Sequence, residues 1–123
     1  MQEQIIEQIE DKLFKEGFYK TTMDDVASEL GMSKKTIYKF FPSKDDLVMA
    51  IAKHFMGRMK SKILPALNSD KNAIEKLAEL INILASAADK ISNKRMEEMK
   101  KHFPEIWNEI DRFRTKMMFE NIT

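Results

Sequence analysis

Four lysines lie in a stretch of the sequence that contains no acidic residue. Residues 31–44 include Lys34, Lys35, Lys39 and Lys44, but neither aspartate nor glutamate. Ammonium groups gathered in this way can contact the phosphates of a nucleic acid. The chain as a whole has a formal net charge of only +1, so its overall charge does not favour such a partner. The indication comes from the local distribution of charge alone.

The residues around these lysines have the spacing of two short helices joined by a tight turn. Two helices that cross closely need a small residue at the crossing, which Ala27 provides, and a turn residue, which Gly31 provides four residues later. All of these requirements fall within one short segment, so residues 22–44 are predicted to form a helix-turn-helix. The inward-facing apolar positions on both sides are Val26, Leu30, Met32, Ile37 and Phe40.

The rest of the chain is also predicted to be helical. Apolar residues recur three and four positions apart, and only three glycines and three prolines interrupt them, which favours an all-α fold. Gly17 is predicted to end the first helix in the left-handed conformation, with Phe18 in contact with Leu13. Capping residues, glycines and prolines predict helices at residues 2–16, 23–30, 34–40, 44–65, 74–91, 93–103 and from residue 105 onward.

The predicted fifth helix has a broad apolar surface that is made of two stripes. Helices with such a broad apolar arc pack against more than one neighbour, which predicts a bundle that continues beyond the helix-turn-helix. The main stripe comprises Ile74, Leu77, Ala78, Ile81, Leu84, Ala85, Ala88 and Ile91, and the second stripe comprises Leu80, Ile83 and Ala87.

Composition excludes several classes of protein. Apolar residues make up 43% of the chain and charged residues 33%, a balance that argues against disorder. The chain has no cysteine, which excludes disulfides and thiolate sites and fits a cytoplasmic protein. Neither a signal peptide nor a membrane-spanning stretch is expected. His54 and His102 lie far apart and no nucleophile has a partnered base, so no metal, cofactor or enzymatic activity is predicted.

The run GFYKTTMDDVASELGMSKKTIYKFFPSKDDLVMAI, residues 17–51, resembles the signature of the tetracycline-repressor (TetR) family. The resemblance implies a three-helix DNA-binding head, a long fourth helix, a helical ligand-binding body, a homodimer, and repression relieved by a small effector. It places a helix-turn-helix DNA-binding domain at residues 1–46 and a helical effector-binding and dimerisation domain at residues 47–123. The matching positions are Gly17, Thr22, Val26, Ala27, Gly31, Thr36, Tyr38, Phe41, Ser43, Lys44 and Leu47.

The sequence departs from the family pattern in two ways. Lys35 stands where the family often has glycine, so the family's base contacts cannot be transferred in detail. Family members usually continue for two more helices that form the dimer interface. Residues 47–123 are therefore expected to be only part of the helical body.

In a helix-turn-helix the second helix lies in the major groove with its N-terminal residues nearest the bases. Residues 34–36 are therefore predicted to read base edges. A lysine can do so by donating hydrogen bonds to the O6 and N7 atoms of guanine. By resemblance, Tyr38, Lys39 and Lys44 contact phosphates. Two alternatives stay open. The lysines could serve only to keep an exposed helix solvated, and Thr22 could serve only as the cap of the helix that begins at residue 23. The predicted DNA-binding residues are Thr22, Ser33, Lys34, Lys35, Thr36, Tyr38, Lys39 and Lys44.

The ten methionines suggest an adaptable apolar pocket between the later helices, because thioether side chains can repack around varied ligands. The alternative is that these methionines fill gaps in a helical core. The predicted pocket residues are Met96, Met99, Phe103, Trp107, Met117 and Met118.

These features predict a sequence-specific, DNA-binding transcriptional regulator. The preferred hypothesis is a homodimeric repressor that binds a palindromic double-stranded operator and is released by an apolar small molecule. The alternative is a helical adaptor that uses the same fold to bind a protein and has no affinity for DNA. A membrane-surface role is disfavoured because residues 74–91 have few lysines on their polar face.

Overall fold

The computed structural model describes residues 1–88, 90 and 92–119, with side chains up to residue 117. Within this part of the chain there are seven α-helices and no strand, so the all-α prediction is confirmed. The helices are α1 (Gln2–Glu16), α2 (Met23–Leu30), α3 (Lys34–Phe40), α4 (Lys44–Leu67), α5 (Ala73–Ser86), α6 (Asn93–His102) and α7 (Pro104–Phe119).

The helices of the N-terminal part begin at the predicted capping residues. Thr22 and Asp25 form a reciprocal capping box at the start of α2, and Ser43 and Asp46 form a second one at the start of α4. The Ser33 side chain accepts from the third backbone N–H of α3. Each cap satisfies amide groups that a helix start leaves unpaired, which explains why these boundaries could be predicted from local sequence.

One hydrophobic core joins the N-terminal helices to the later ones. Ile9 of α1, Ile37 of α3 and Ile51 of α4 are fully buried in this core. The same cluster includes Met99 of α6 and Ile106 of α7. The long α4 therefore contributes to both the head, residues 1–46, and the helices that follow. The predicted functional division at residues 46 and 47 stays a prediction.

Helix α1 ends at Glu16 as predicted, but Gly17 does not adopt the predicted left-handed conformation. Its φ of 114° and ψ of 139° lie outside that region. The N–H of Phe18 donates to Oε1 of Glu98 at 2.7 Å instead of turning back to a carbonyl of the helix. The predicted Schellman stop is therefore wrong. A positive φ of this size still favours glycine, because it strains any residue with a Cβ.

Two side chains of α6, Arg95 and Glu98, satisfy the end of α1, and we call this pair the α6 clamp. Nε of Arg95 donates to the Phe14 carbonyl at 2.6 Å, and Nη2 donates to the Lys15 carbonyl at 3.1 Å. Nη1 of Arg95 donates to Oε2 of Glu98 at 3.1 Å. These bonds satisfy carbonyls that a helix C-terminus leaves unpaired, so the local Schellman bonds are not needed. The clamp fixes α6 against the head.

Replacing Gly17 by alanine is expected to lower the free energy of unfolding by about 2 kcal/mol. The new Cβ would be strained at this φ and would lie 3.1 Å from Oε2 of Glu98 and 3.3 Å from Nη1 of Arg95. Gly31→Ala is the matched control: its φ is also positive, at 66°, but its Cβ would meet nothing within 4 Å. The control should lose about 1 kcal/mol in urea unfolding. Equal losses in the two variants would contradict a close packing of the clamp on Gly17.

The apolar stripes of α5 are covered unequally. The second stripe faces the protein, with Leu80 and Ile83 partly buried and Ala87 buried. The main stripe is open to solvent, with Ile74 80% exposed and Ile81 56% exposed. In the described residues neighbours therefore cover only the second stripe, whereas the predicted bundle does continue beyond the helix-turn-helix. Helix α5 packs on α4 and ends at Ser86, and residue 91 of the predicted helix lies outside the described residues.

Candidate nucleic-acid interface and cavity

Helices α2 and α3 form the predicted helix-turn-helix. Gly31 is in the left-handed conformation, with φ 66° and ψ 31°, and allows the chain to turn directly after α2. The N–H of Met32 donates to the carbonyl of Ala27 at 3.0 Å and closes this turn. Val26 and Ile37 are buried on the two sides of the turn. The prediction from residue spacing is confirmed.

Helix α3 turns one face to the core and the opposite face to solvent. Ile37 is fully buried, while Lys34, Lys35, Tyr38 and Lys39 are exposed. The exposed residues lie on the first turn and on the outer side of the helix, where a duplex could approach. The sequence of α3, KKTIYKF, contains no acidic residue. The outer surface of α3 therefore combines hydrogen-bond donors with positive charge.

Lys34 is paired with an acidic residue of the preceding helix. Its Nζ lies 3.1 Å from Oδ1 of Asp24, and both side chains are largely exposed, at 48% and 76%. An ion pair this open to water stabilises the protein by little. Lys34 can therefore exchange Asp24 for another hydrogen-bond acceptor at low cost.

The serine and threonine hydroxyl groups of the predicted surface already form hydrogen bonds within the protein. Thr22 caps α2, and its backbone N–H and side chain hold the pKa of Asp25 below its ordinary value. Ser33 caps α3, and its Oγ lies 2.9 Å from Oγ1 of Thr36. Thr36 itself is partly buried. These three residues shape the start of each helix, and their contact with DNA stays a prediction.

Lys44 is held more tightly than a free surface lysine. Its Nζ donates to the carbonyl of Tyr19 at 3.0 Å and lies 6.0 Å from the centre of the Tyr19 ring. Burial lowers the pKa of the Lys44 ammonium from its ordinary value. The Tyr19 ring in turn stacks on His102 of α6, with the ring centres 3.6 Å apart. Lys44 therefore links α4 to the loop after α1, whatever else it contacts.

A cavity of about 580 Å³ lies between α1, α4, α5, α6 and α7. Of the six predicted pocket residues, Phe103 is buried in the hydrophobic core instead, where the backbone leaves α6, and the side chain of Met118 lies outside the described residues. The other four lie in the cavity wall: Met96, Met99, Trp107 and Met117.

Sequence reasoning missed the part of the wall that α4 contributes. Phe55, Met56 and Met59 of α4 line the cavity. The signal was present, because apolar residues recur four apart along this helix, but that spacing alone does not separate core from cavity wall. It also missed Arg95, because a charged residue on a polar helix is ordinarily a solvated one.

Two cations lie beside the single tryptophan at the cavity. Nζ of Lys100 is 4.9 Å from the centre of the Trp107 ring, and Cζ of Arg114 is 5.6 Å from it. Cations at this distance are attracted by the ring quadrupole. Lys100 also lies 3.5 Å from Oε1 of Glu97, in a pair that is mostly exposed. This edge of the cavity is therefore cationic and aromatic, whereas the rest of the wall is mainly apolar.

The two histidines take different places, and neither belongs to a metal site in the described part of the chain. Nδ1 of His54 lies 3.5 Å from Oε2 of the buried Glu10, and His102 stacks on Tyr19. No group of three or more potential ligand residues could hold a metal ion among the residues described. Within the same ranges, none of the helices combines the length and the hydropathy that a membrane span requires.

Comparison with known proteins identifies the N-terminal part of the chain. Residues 5–51 match the sequence profile of "Bacterial regulatory proteins, tetR family", a segment that contains the helix-turn-helix and the start of α4. This N-terminal part of the chain belongs to the tetR family. The resemblance seen in residues 17–51 is thereby confirmed. No solved structure matches the chain significantly.

Several curated relatives share this assignment. The chain is 31% identical over 103 residues to the uncharacterized HTH-type transcriptional regulator YvaF of Bacillus subtilis. The aligned region covers 83% of the chain and 54% of YvaF. It is 32% identical over 63 residues to an uncharacterized HTH-type transcriptional regulator of Mycobacterium tuberculosis, covering 50% of the chain and 27% of that protein. It is 27% identical over 79 residues to the fatty acid metabolism regulator protein of Bacillus subtilis, covering 64% of the chain and 41% of that protein.

The chain thus spans about half the length of YvaF and less of the other two relatives. The family comprises bacterial regulatory proteins, and the names of all three relatives describe regulators.

Proposed function

We propose that this protein is a DNA-binding transcriptional regulator that reads an operator with α3. The observation that carries the proposal is the outer surface of α3. Lys34, Lys35 and Tyr38 are exposed there, Ile37 is buried in the core, and the helix has no acidic residue. A short helix that is fixed by one buried residue and basic on its outer side suits the major groove.

The proposal divides the surface into base-reading and phosphate-binding residues. Lys34, Lys35 and Thr36 lie on the first turn of α3, the part nearest the base edges in this docking geometry. Tyr38 and Lys39 lie further along the helix, where contacts to the sugar-phosphate backbone set position and affinity. Ser33, Thr22 and Lys44 lie at helix starts, and each would contact DNA while keeping its structural bond.

The regulator is further proposed to be a homodimeric repressor that a small molecule releases from its operator. Three contacts support coupling between the cavity and the head. Arg95 lies in the cavity wall and also holds the end of α1. His102, at the other end of α6, stacks on Tyr19, whose carbonyl accepts the bond from Lys44. The position of the head should therefore depend on the position of α6. A ligand that binds one position of α6 more tightly than another would shift the population toward the matching position of the head.

The proposed function is tested by selecting bound sequences from a pool of random duplexes. A palindromic sequence should be enriched, because a two-fold dimer reads two half-sites that are one helical turn apart. Affinity for the selected duplex should fall linearly with salt on a double-logarithmic plot, because phosphate contacts release counterions. Absence of enrichment together with salt-independent retention would contradict the proposal. Such a regulator would act in the cytoplasm, where the chromosome lies.

The adaptor alternative is favoured by one observation, the exposed main stripe of α5. Ile74, Leu77 and Ile81 are each more than half exposed, at 80%, 58% and 56%. Exposed apolar surface of this kind marks protein contacts in many proteins. The alternative predicts a protein with no affinity for any duplex, so the same selection distinguishes the two functions.

A further inference from the structure

The wall of the cavity is chemically divided. Most of it is built from thioether, aromatic and aliphatic side chains, which suit the hydrocarbon part of a ligand. The charged residues of the wall all come from the later helices: Arg95, Glu97 and Lys100 from α6 and Arg114 from α7. A ligand that fills this space would meet a mainly apolar surface and one charged edge.

The charges of the wall do not cancel. Arg95 is neutralised by Glu98, and its Nε, Nη1 and Nη2 all donate within the protein, so it offers little to a ligand. Glu97, the one acidic residue of the wall, is paired with Lys100. Arg114 has no carboxylate within 4 Å among the residues that the structure describes. One positive charge therefore remains at the edge of the cavity.

The aromatic edge gathers positive charge in one place. The Lys100 ammonium and the Arg114 guanidinium both lie within 6 Å of the Trp107 ring centre, at 4.9 Å and 5.6 Å. Two like charges held near one ring repel each other, and an anion between them would relieve that repulsion. The competing Glu97 is 73% exposed, so its bond to Lys100 is weak and can be exchanged.

We propose that the cavity binds an amphipathic anion, with its hydrocarbon body among the methionines and its anionic head group between Lys100 and Arg114. The proposal deepens the proposed function, because it names the chemical class of the effector. A cationic ligand fits poorly, since the wall offers it only the paired Glu97, while Lys100 and Arg114 already lie beside the Trp107 ring.

The test is a binding titration that involves no DNA. Trp107 is the only tryptophan of the chain, so its fluorescence reports on the cavity directly. Dodecanoate, dodecanol and dodecyltrimethylammonium share one hydrocarbon chain and differ in head-group charge. Dodecanoate is expected to bind about tenfold more tightly than either of the others, below its micelle concentration. Equal affinities for the three compounds, or no binding of any, would overturn the proposal.

Charge variants assign the preference to the two named residues. Lys100→Gln combined with Arg114→Gln should abolish the preference for dodecanoate and leave the affinity for dodecanol unchanged, which also shows that the cavity is intact. Lys94→Gln combined with Arg112→Gln is the matched control, because both residues are exposed on the same helices and lie outside the cavity wall. A preference that survives the first pair, or that the control pair also removes, would contradict the assignment. The titration contains no DNA, so its result does not depend on whether the protein binds an operator. Failure of the ligand proposal can therefore be distinguished from failure of the proposed function.

Discussion

Replacing Arg95 by methionine is expected to lower the free energy of unfolding by about 3 kcal/mol, the largest effect on stability predicted for a single substitution in this protein. The Arg95 side chain is only 7% exposed, and Glu98 is 13% exposed. Methionine keeps much of the packing volume but removes every donor. The variant therefore removes the ion-pair partner of Glu98, and it leaves the carbonyls of Phe14 and Lys15 without their side-chain donor.

Urea unfolding followed by circular dichroism measures this loss. Arg112→Met is the matched control, because Arg112 pairs with Glu109 on the surface of α7, with its side chain 73% exposed. The control should change stability by less than about 0.5 kcal/mol. A loss below about 1 kcal/mol for Arg95→Met would contradict the account of the α6 clamp as the main polar link between α6 and the head.

Prediction from sequence succeeded where the determinants are local. The start of α2 depends on Thr22 and Asp25, three residues apart, and the turn after it depends on Gly31. Such bonds form within one turn of helix, so their residue types and spacing are sufficient to predict them. The buried face of α3 follows in the same way from the position of Ile37. These features are the ones that define the candidate nucleic-acid interface.

Prediction from sequence failed where a distant residue satisfies a local need. The end of α1 has the glycine of a Schellman stop, yet Arg95 and Glu98 bond to it from 80 or 81 residues away. A single sequence contains no signal for a partner at that separation. The cavity is a similar case, since the methionine content indicated an apolar pocket but not the contribution of α4 or of the cations near Trp107.

The stripes of α5 illustrate a different limit. Apolar periodicity predicts which residues avoid water, but not which of two stripes a neighbour will cover. In the described residues the narrower stripe around Ile83 is covered, and the main stripe that includes Ile74 is exposed. Burial depends on the number of neighbouring helices, which periodicity alone does not contain.

Removing the outer donors of α3 is expected to abolish specific DNA binding. Lys34→Ala, Lys35→Ala and Tyr38→Ala together should weaken binding to the selected operator at least about 100-fold, since each lost base or phosphate contact contributes about 1 kcal/mol or more. The three side chains are exposed, so the free energy of unfolding should change little. Lys60→Ala with Lys62→Ala is the matched control, because it removes the same number of positive charges, from exposed positions on α4.

Fluorescence anisotropy of a labelled operator duplex, recorded at about 0.1 M and about 0.3 M salt, tests the central claim most directly. The unaltered protein and the Lys60/Lys62 control should bind at the lower salt concentration and lose affinity at the higher one. The variant without Lys34, Lys35 and Tyr38 should show little specific binding at either. Salt-dependent operator binding that this variant retains in full would contradict the claim that α3 reads DNA.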